Sequence, residues 1–329
     1  MLRVVYSESY NPYYNLALEE VLLHSCEQKQ DYILYLWQNN NTIVIGRNQT
    51  VYTECDLQYV KKYNTKIARR LTGGGAVYHD LGNLNFTFIV PKKAYDKTTS
   101  TSIIVNAINA VGISVRLAGR NDIVCGDFKF SGSAYYSSTQ AGLHHGTIMV
   151  DVDLEKMQKL LYTSQSKIAK KGVSSVRSRV VNLKMINPDI SVDRLKEAIK
   201  FSFIKTLGED SIIKYGTDYL EEAETVKLEK RYSSEQWNIK QVEEYDLQIE
   251  EKYDWGYFKL SCCMDGHTPQ KFSISSDSLY PDMVDSVVAV FNDKNMVNLS
   301  QLKKKINSYP EIQIIEDIEQ LYCKLLEMM

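Results

Sequence analysis

The sequence contains no CxxC pair, no long apolar run and no excess of either charge. Six cysteines, Cys26, Cys55, Cys125, Cys262, Cys263 and Cys323, are scattered over 329 residues. A disulfide framework needs denser cysteine in a shorter chain, so these are expected to be reduced thiols. No stretch approaches the length of a membrane span, and Met1 to Glu8 carries no apolar leader, so a cytoplasmic protein without a membrane partner is expected. With 39 basic and 41 acidic side chains the formal charge is -2, which argues against a broad nucleic-acid surface. Lys303-Lys304-Lys305 reads as a solvated helix face. Internal repeats and low-complexity tracts are also missing. So is the phosphate-loop pattern GxxxxGK[ST], and no GxGxxG follows a strand.

What is present suits an ordinary globular protein. Hydrophobic residues make up 44% and charged residues 24% of a chain long enough for two cores. Asn11-Pro12 predicts a helix start, and Tyr14, Leu18, Val21 and Leu22 then share one face. Strands are expected at Tyr32–Trp37, Thr42–Gly46, Asn85–Val90, Ile113–Leu117, Asp122–Cys125, Phe128–Phe130 and His145–Val152. Helices are expected at Ser102–Val111 and from Leu154 to Leu161. Ser131-Gly132-Ser133-Ala134 reads as a loop of small residues. Strands and helices interleave without a strict βαβ rhythm, so the expected fold is α+β, a mixed sheet flanked by helices. Residues 216–252 are acidic and weakly periodic and read as a connector. A hairpin follows, Tyr257–Cys262 and Gln270–Ser275 around Asp265-Gly266, and then a helix striped by Ile314, Ile318, Leu321, Tyr322 and Leu325. The expected division is a domain over residues 1–245 and a small α+β accessory domain over 250–329.

Three clusters carry chemistry. In Arg69-Arg70-Leu71-Thr72-Gly73-Gly74-Gly75-Ala76-Val77-Tyr78-His79-Asp80, three glycines remove every Cβ and let main-chain amides approach an anion. Arg70 beside them offers charge-assisted bonds to phosphate or carboxylate. In isolation such a triplet is more often a flexible turn. Next, Lys129 leaves a strand into Ser-Gly-Ser-Ala, where an anion has room, although a lone strand lysine is usually solvated. Third, the neighbours His144 and His145 on a strand point to opposite faces and cannot chelate one ion together. One lining a pocket and one packing is the reading that remains.

These clusters, in their order and spacing, resemble the lipoate–protein ligase family. The Arg69–Asp80 segment followed by Gly82-Asn83 is similar to the family's RRxxGGGAVxHDxGN signature. Gly46-Arg47-Asn48-Gln49, Tyr95-Asp96-Lys97, Gly119-Arg120-Asn121-Asp122, Lys129–Ala134, His144–Thr147 and Ser175–Leu183 also agree, so the likeness runs from about residue 10 to 205. The resemblance implies a catalytic fold shared with biotin–protein ligases, ATP and Mg²⁺ as cofactors, and lipoate as substrate. The acid would be activated as its adenylate and passed to a lysine of a lipoyl domain, as in 2-oxoacid dehydrogenase E2 chains or glycine-cleavage H protein. A monomer is expected.

By the same resemblance Arg70, Gly73, Gly74, Gly75, Ala76, Val77, Tyr78, Asn83, Asp122 and Lys129 would hold ATP and the adenylate. Leu71, Gly74, Lys129, Tyr136, His145 and Gly146 would hold lipoate, and Lys129 would be the catalytic group. Asn83 and Asp122 are candidate Mg²⁺ ligands. Tyr136 stands where relatives often carry arginine, Leu71 replaces a small polar residue, and Glu235-Gln236-Trp237-Asn238 is a distant echo of the family's Trp-Glu-Trp-Asn text. A weakened accessory domain leaves open transfer from ready-made acyl-adenylate. Octanoyl transfer through a cysteine would require Cys125, which reads as packing. Biotin ligation would follow the same reaction logic, and a non-catalytic lipoyl-domain binding module would release no pyrophosphate in response to lipoate.

Overall fold

Short apolar runs at strand spacing, broken by amphipathic helices, assemble into a large mixed sheet with helices on both faces and a smaller C-terminal α+β unit. The structure is a computed structural model describing residues 1–119, 121–161, 180–208, 212–217, 220, 222–239, 245–266, 268–292 and 312–328. Among the described residues no helix is long and apolar enough to cross a membrane. Arg120, Ser175–Arg179 and Lys303–Lys305 lie outside them.

Strand β1 (Leu2–Tyr6) leads into helix α1 (Pro12–Lys29), then β2 (Tyr32–Trp37) and β3 (Thr42–Ile45). Short helices α2 (Val51–Glu54) and α3 (Leu57–Lys62) precede β4 (Lys66–Arg69), β5 (Val77–His79) and β6 (Asn83–Pro91). Helix α4 (Lys97–Ala110) is followed by β7 (Arg116–Ala118), β8 (Asp122–Cys125), β9 (Phe128–Ser137), β10 (Ala141–Met149) and α5 (Leu154–Leu160). Helix α6 (Val192–Leu207), β11 (Ile213–Tyr215), α7 (Glu222–Ser233) and α8 (Glu235–Asn238) come next. The chain closes with β12 (Leu247–Tyr253), β13 (Gly256–Asp265), β14 (Thr268–Ser276), α9 (Pro281–Phe291) and α10 (Ile312–Met328).

The eight-stranded sheet runs β11-β1-β2-β6-β10-β9-β8-β7. It is parallel at β11-β1-β2 and antiparallel from β2 onward. A three-stranded sheet β4-β3-β5 lies beside it, and β12-β13-β14 forms the sheet of the C-terminal unit. One core joins the large sheet to α4 and α6, through residues such as Phe86, Phe88, Ile104, Ile108, Ile199 and Phe203. A second joins the opposite face to α1. The C-terminal unit has its own core, built on Phe258, Leu260, Val287, Ile314 and Ile318.

Local expectations hold where local chemistry decides. Asn11 caps α1 by accepting from the Tyr13 amide, with Pro12 in the first turn. The β13–β14 hairpin turns at Gly266, whose φ of 60° suits glycine. Others need correction. Ser131 to Ala134 is no loop but the middle of β9, which runs on to Ser137 because β10 supplies a ladder from Gly142↔Ser137 to Gly146↔Ser133. Strand β10 begins at Ala141 rather than His145, since it pairs with β6 from Ala141↔Pro91 to Met149↔Asn83. Residues 216–252 are no plain connector: α7 packs along α1, where Glu20 accepts from Tyr232 Oη at 2.6 Å and pairs with Arg231. Weak amphipathicity hid α7 because much of what it meets is itself polar.

The segment after α7 closes over Arg69, one of the largest fully buried side chains. Its guanidinium donates to the carbonyls of Gly46, Arg47, Gln49, Trp237 and Asn238 at 2.7–3.0 Å. Its amide donates to Asn238 Oδ1 at 2.8 Å, and Trp237 Nε1 donates back to the Arg69 carbonyl at 2.8 Å. Burial lowers its pKa to about 10, still well above neutrality. Arg69→Met would strand several buried carbonyls at once, each orphan costing about 1–3 kcal/mol. Urea unfolding should show a loss of at least about 3 kcal/mol, and a loss under about 1 kcal/mol would refute the hub role.

Candidate active site

A cavity of about 130 Å³ lies between one face of the large sheet and the glycine-rich segment. Its floor follows from strand register. Trp37 pairs with Asn85 and Asn85 with Thr147, the Gly132 amide donates to Thr147 Oγ1 at 3.4 Å, and Asp122 pairs with Gly132. Directly opposed residues share a sheet face, so these form one row across β2, β6, β10, β9 and β8. On this face the small residues Gly132 and Ala134 keep the floor low. A Cβ at Gly132 would stand 3.0 Å from Lys129 Nζ, and one at Gly146 would overlap the Phe86 ring on the opposite face of the sheet.

Lys129 stands at one end of this row. Its Nζ is 2.7 Å from Asp122 Oδ1, with the two side chains 32% and 34% exposed. The pair is solvent-reached, so an incoming anion can draw the ammonium away at modest cost. Val181 N donates to the Lys129 carbonyl at 3.0 Å, and Asn182 anchors to the main chain of Val152, so the described end of the Ser175–Leu183 motif braces the lysine's strand.

The opposite wall is the glycine segment. Gly75, Ala76 and Val77 line the cavity, and among the described residues nothing stands within 4 Å of a Cβ placed at Gly75. Gly74 lines it too, with a φ of 91° that favours glycine. Its amide, however, donates to the Ser278 carbonyl of the C-terminal unit at 3.1 Å, and a Cβ at Gly73 would overlap that same oxygen. The contact extends outward. Ser276 N donates to the Asn48 carbonyl, Asn48 Nδ2 to the Pro281 carbonyl, and Arg47 pairs with Asp282 and Asp285 at 3.1 and 2.7 Å. Tyr78 turns away into the apolar cluster around β3 and β5.

Arg70 is 6% exposed and lines the cavity. Its donors already serve the main chain: Nη2 reaches the Gly73 and Gly75 carbonyls at 2.7 and 2.8 Å, Nη1 the Val44 carbonyl at 3.2 Å, and Nε the Thr72 hydroxyl at 3.0 Å. Burial pulls its pKa to about 10, so the charge persists at neutral pH. Arg70 therefore shapes the loop and lends it a positive field.

His145 and His144 face opposite sides of β10. His145 lines the cavity; its Nδ1 lies 2.9 Å from Glu19 Oε1 and its Nε2 2.8 Å from Thr72 Oγ1. The Glu19 carboxylate accepts only, so Nδ1 carries a proton, and Nε2 meets the Thr72 hydroxyl. Glu19, 1% exposed, also accepts from Thr87, which accepts from Trp37 Nε1. His144 packs among Phe86, Phe88 and Tyr135, and its Nδ1 meets Ser100 Oγ at 2.7 Å. His79 lines the cavity beside Trp37, edge to face. Burial drives the pKa of both His79 and His144 down to about 3.

Several expected site residues lie elsewhere. Leu71 and Tyr136 both pack against the α1 cluster and do not line the cavity. Leu71 follows a cavity-facing Arg70 and turns the other way, while Tyr136 opposes Leu143, beyond the row occupied by His145 and Ala134. Asn83 is not in the lining either; it donates to Asn85 Oδ1 at 2.9 Å. It sits on β6 and Asp122 on β8, roughly 14 Å apart at the usual strand spacing, so one ion cannot take both. Cys125 packs at the edge of the main core, as sequence reasoning expected. Glu19, Trp37, Thr72, Asn85 and Asn121 were missed. Only Glu19 left a trace, an acidic pair inside the apolar run Leu16-Ala17-Leu18-Glu19-Glu20-Val21-Leu22-Leu23.

Comparison with known proteins places this geometry among enzymes of lipoylation. The family model described as the lipoyl protein ligase A/B catalytic domain matches residues 11–204. The P. falciparum LipL1 crystal structure in complex with lipoate is 26% identical, covers 99% of this chain and 100% of its own, and superposes with a TM-score of 0.85. The bipartite lipoate protein ligase of Thermoplasma acidophilum, studied with its E2 lipoyl domain, is 30% identical over 74% of this chain and 98% of its own, at 0.64. A lipoate-protein ligase A bound with ATP is 29% identical over 72% and 97%, at 0.62.

Two measurements test the site's construction. A Cβ on Gly46 would overlap the Gly74 carbonyl, so Gly46→Ala should displace the glycine segment and cost more than about 1 kcal/mol; an unchanged denaturation midpoint would contradict the contact. For His79 and His144 the folded pKa lies below the ordinary 6.5 or so. The unfolded chain therefore binds more protons, and stability is lost as pH falls from about 6.5 toward 3, by about 1.4 kcal/mol per pH unit per histidine. In His144→Leu the slope of stability against pH should drop by about one proton over that window. An identical slope would show that His144 is not held neutral.

Proposed function

The chain belongs to the lipoyl protein ligase A/B catalytic-domain family, and from that premise we propose that it joins lipoate to AMP at the expense of ATP and transfers the lipoyl group to a lysine of a lipoyl domain. The observation that carries the reading is the shared cavity: Lys129 at one end, the Arg70-braced loop along one wall, and a floor long enough for an acyl chain.

Attack of a carboxylate on the α-phosphorus brings two anions together, and the cavity opposes their repulsion with fixed positive groups. Lys129 would leave Asp122 for the carboxylate and α-phosphate oxygens. The Gly75–Val77 main chain, held by Arg70, would lie along the phosphates. Mg²⁺, when bound, would screen the triphosphate and the departing pyrophosphate. Among the described residues no three His, Cys, Asp or Glu side chains gather as a metal cage. A lone carboxylate such as Asp122 still suits an ion held mainly by phosphates and water. In the second step the neutral amine of the acceptor lysine attacks the acyl carbon and AMP leaves.

Residues 1–245 would then form the catalytic domain and 250–329 an accessory domain whose Ser278 segment lies over the loop. The partner is taken to be a lipoyl domain of a 2-oxoacid dehydrogenase E2 or of glycine-cleavage H protein, as the archaeal relative's E2 lipoyl domain suggests. A cysteine-based acyl transfer is disfavoured by the packed position of Cys125.

Mass spectrometry of a lipoyl domain after incubation with this protein, ATP, Mg²⁺ and lipoate should show the mass of one lipoyl group. Omitting ATP should abolish it, and supplying lipoyl-AMP should restore it. Lys129→Ala should lower lipoate-dependent pyrophosphate release roughly a hundredfold, the usual effect of losing one donor worth about 3 kcal/mol in the transition state. Modification that persists without ATP or lipoyl-AMP would overturn the proposal.

A further inference from the structure

Two of the buried polar groups lining the cavity have an atom with no partner among the described residues. His79 is 3% exposed and Asn85 2%, both line the cavity, and neither His79 Nε2 nor Asn85 Nδ2 meets an acceptor among the described residues. Their other polar atoms are engaged. Asn39 Nδ2 lies 3.2 Å from His79 Nδ1, which must accept from it, so the proton of the neutral ring sits on Nε2. Asn85 Oδ1 accepts from Asn83 Nδ2, leaving both amide hydrogens of Nδ2. Two groups with hydrogens to donate therefore border the cavity beside Trp37.

Their position sets what they would meet. Gly132, where an added Cβ would stand 3.0 Å from Lys129 Nζ, and Asn85 share a row, with β10 between their strands, so they stand roughly 10 Å apart at the usual strand spacing. An extended eight-carbon acid, advancing about 1.3 Å per bond of about 1.5 Å, spans about 9 Å. With its carboxylate at Lys129, its far end reaches Asn85, His79 and Trp37.

We propose that His79 and Asn85 form a polar subsite for the distal end of the acid, selecting a chain that carries an acceptor atom there, such as a dithiolane sulfur or a keto oxygen, over an all-carbon chain of the same length. The inference rests on the reading of the cavity as an acid-activating site and names the class of acid it prefers. An all-carbon tail would leave buried donors unpaired without replacing the hydrogen bonds of any water it expels. Sulfur is a weak acceptor and oxygen a strong one, so the preference should grow from sulfur to oxygen.

The test is calorimetric binding of four acids to the full chain, with pyrophosphate release measured in parallel. Lipoate should bind about tenfold more tightly than 5-cyclopentylpentanoate, its all-carbon counterpart, and 7-oxooctanoate more tightly than octanoate by at least as much. In His79→Phe and in Asn85→Leu both ratios should shrink to within about twofold, as all-carbon acids gain and acceptor-bearing acids lose. Equal affinities within each pair in the unaltered protein would overturn the inference without recourse to any variant, and so would ratios that survive both substitutions. Discriminating binding without pyrophosphate release would support the subsite while refuting the activation chemistry. Release with no discrimination would do the reverse.

Discussion

Two adjacent buried arginines, committed to main-chain carbonyls rather than to carboxylates, are the constraint on which the site depends. Arg69 gathers the 46–49 loop and the 237–238 segment; Arg70 gathers Gly73, Gly75 and Val44. Side chains on successive strand residues point to opposite sides, so the pair fastens the end of β4 in two directions at once. A triple glycine would otherwise be among the most mobile stretches of the chain. Tied in this way it becomes a wall. Each guanidinium keeps its charge at neutral pH despite a pKa lowered by burial, and the cavity inherits the field of Arg70.

The opposite wall is rigid for a different reason. A row of side chains across antiparallel strands inherits its spacing from the hydrogen-bond ladder, so the distance from Lys129 to Asn85 is set by register rather than by loop conformation. Behind it, Glu19, His145 and Thr72 link helix α1 through β10 to Arg70. Floor and wall are thus parts of one hydrogen-bonded unit, in which a buried carboxylate and a buried guanidinium lie at opposite ends of a His–Thr relay. Such fully satisfied buried networks hold a single arrangement, because any partial rearrangement leaves a polar group unpaired in a low dielectric.

The C-terminal unit bounds the loop on its outer side. Its contacts with the rest of the chain include the Ser276–Asp285 stretch, and they fall on Arg47, Asn48, Gly73 and Gly74. A phosphate approaching from that side would compete with the Ser278 carbonyl for the Gly74 amide. Among the described residues the Gly75 side has no such neighbour.

Features governed by nearest neighbours were legible in the residues themselves. They include the Asn11 cap, the Gly266 turn, the divergence of His144 and His145, and the association of the glycine run with Lys129 in one family pattern. Each depends on backbone geometry within a few residues or on a recurring text. The remainder depends on what folding brings alongside. Whether Ser131 to Ala134 is loop or strand was decided by β10, and the fate of 216–252 by the polar face of α1. Arg70 looked free to bind phosphate until its donors met the carbonyls of its own loop. Leu71 and Tyr136 fell outside the cavity because side-chain direction, not sequence proximity, chooses who lines it. The sequence alone determined the α+β class, the caps and the family likeness, because these follow from local periodicity and pattern. Only the tertiary structure decided which polar atoms are left unpaired in the cavity, because hydrogen bonds are allotted between residues far apart in the chain.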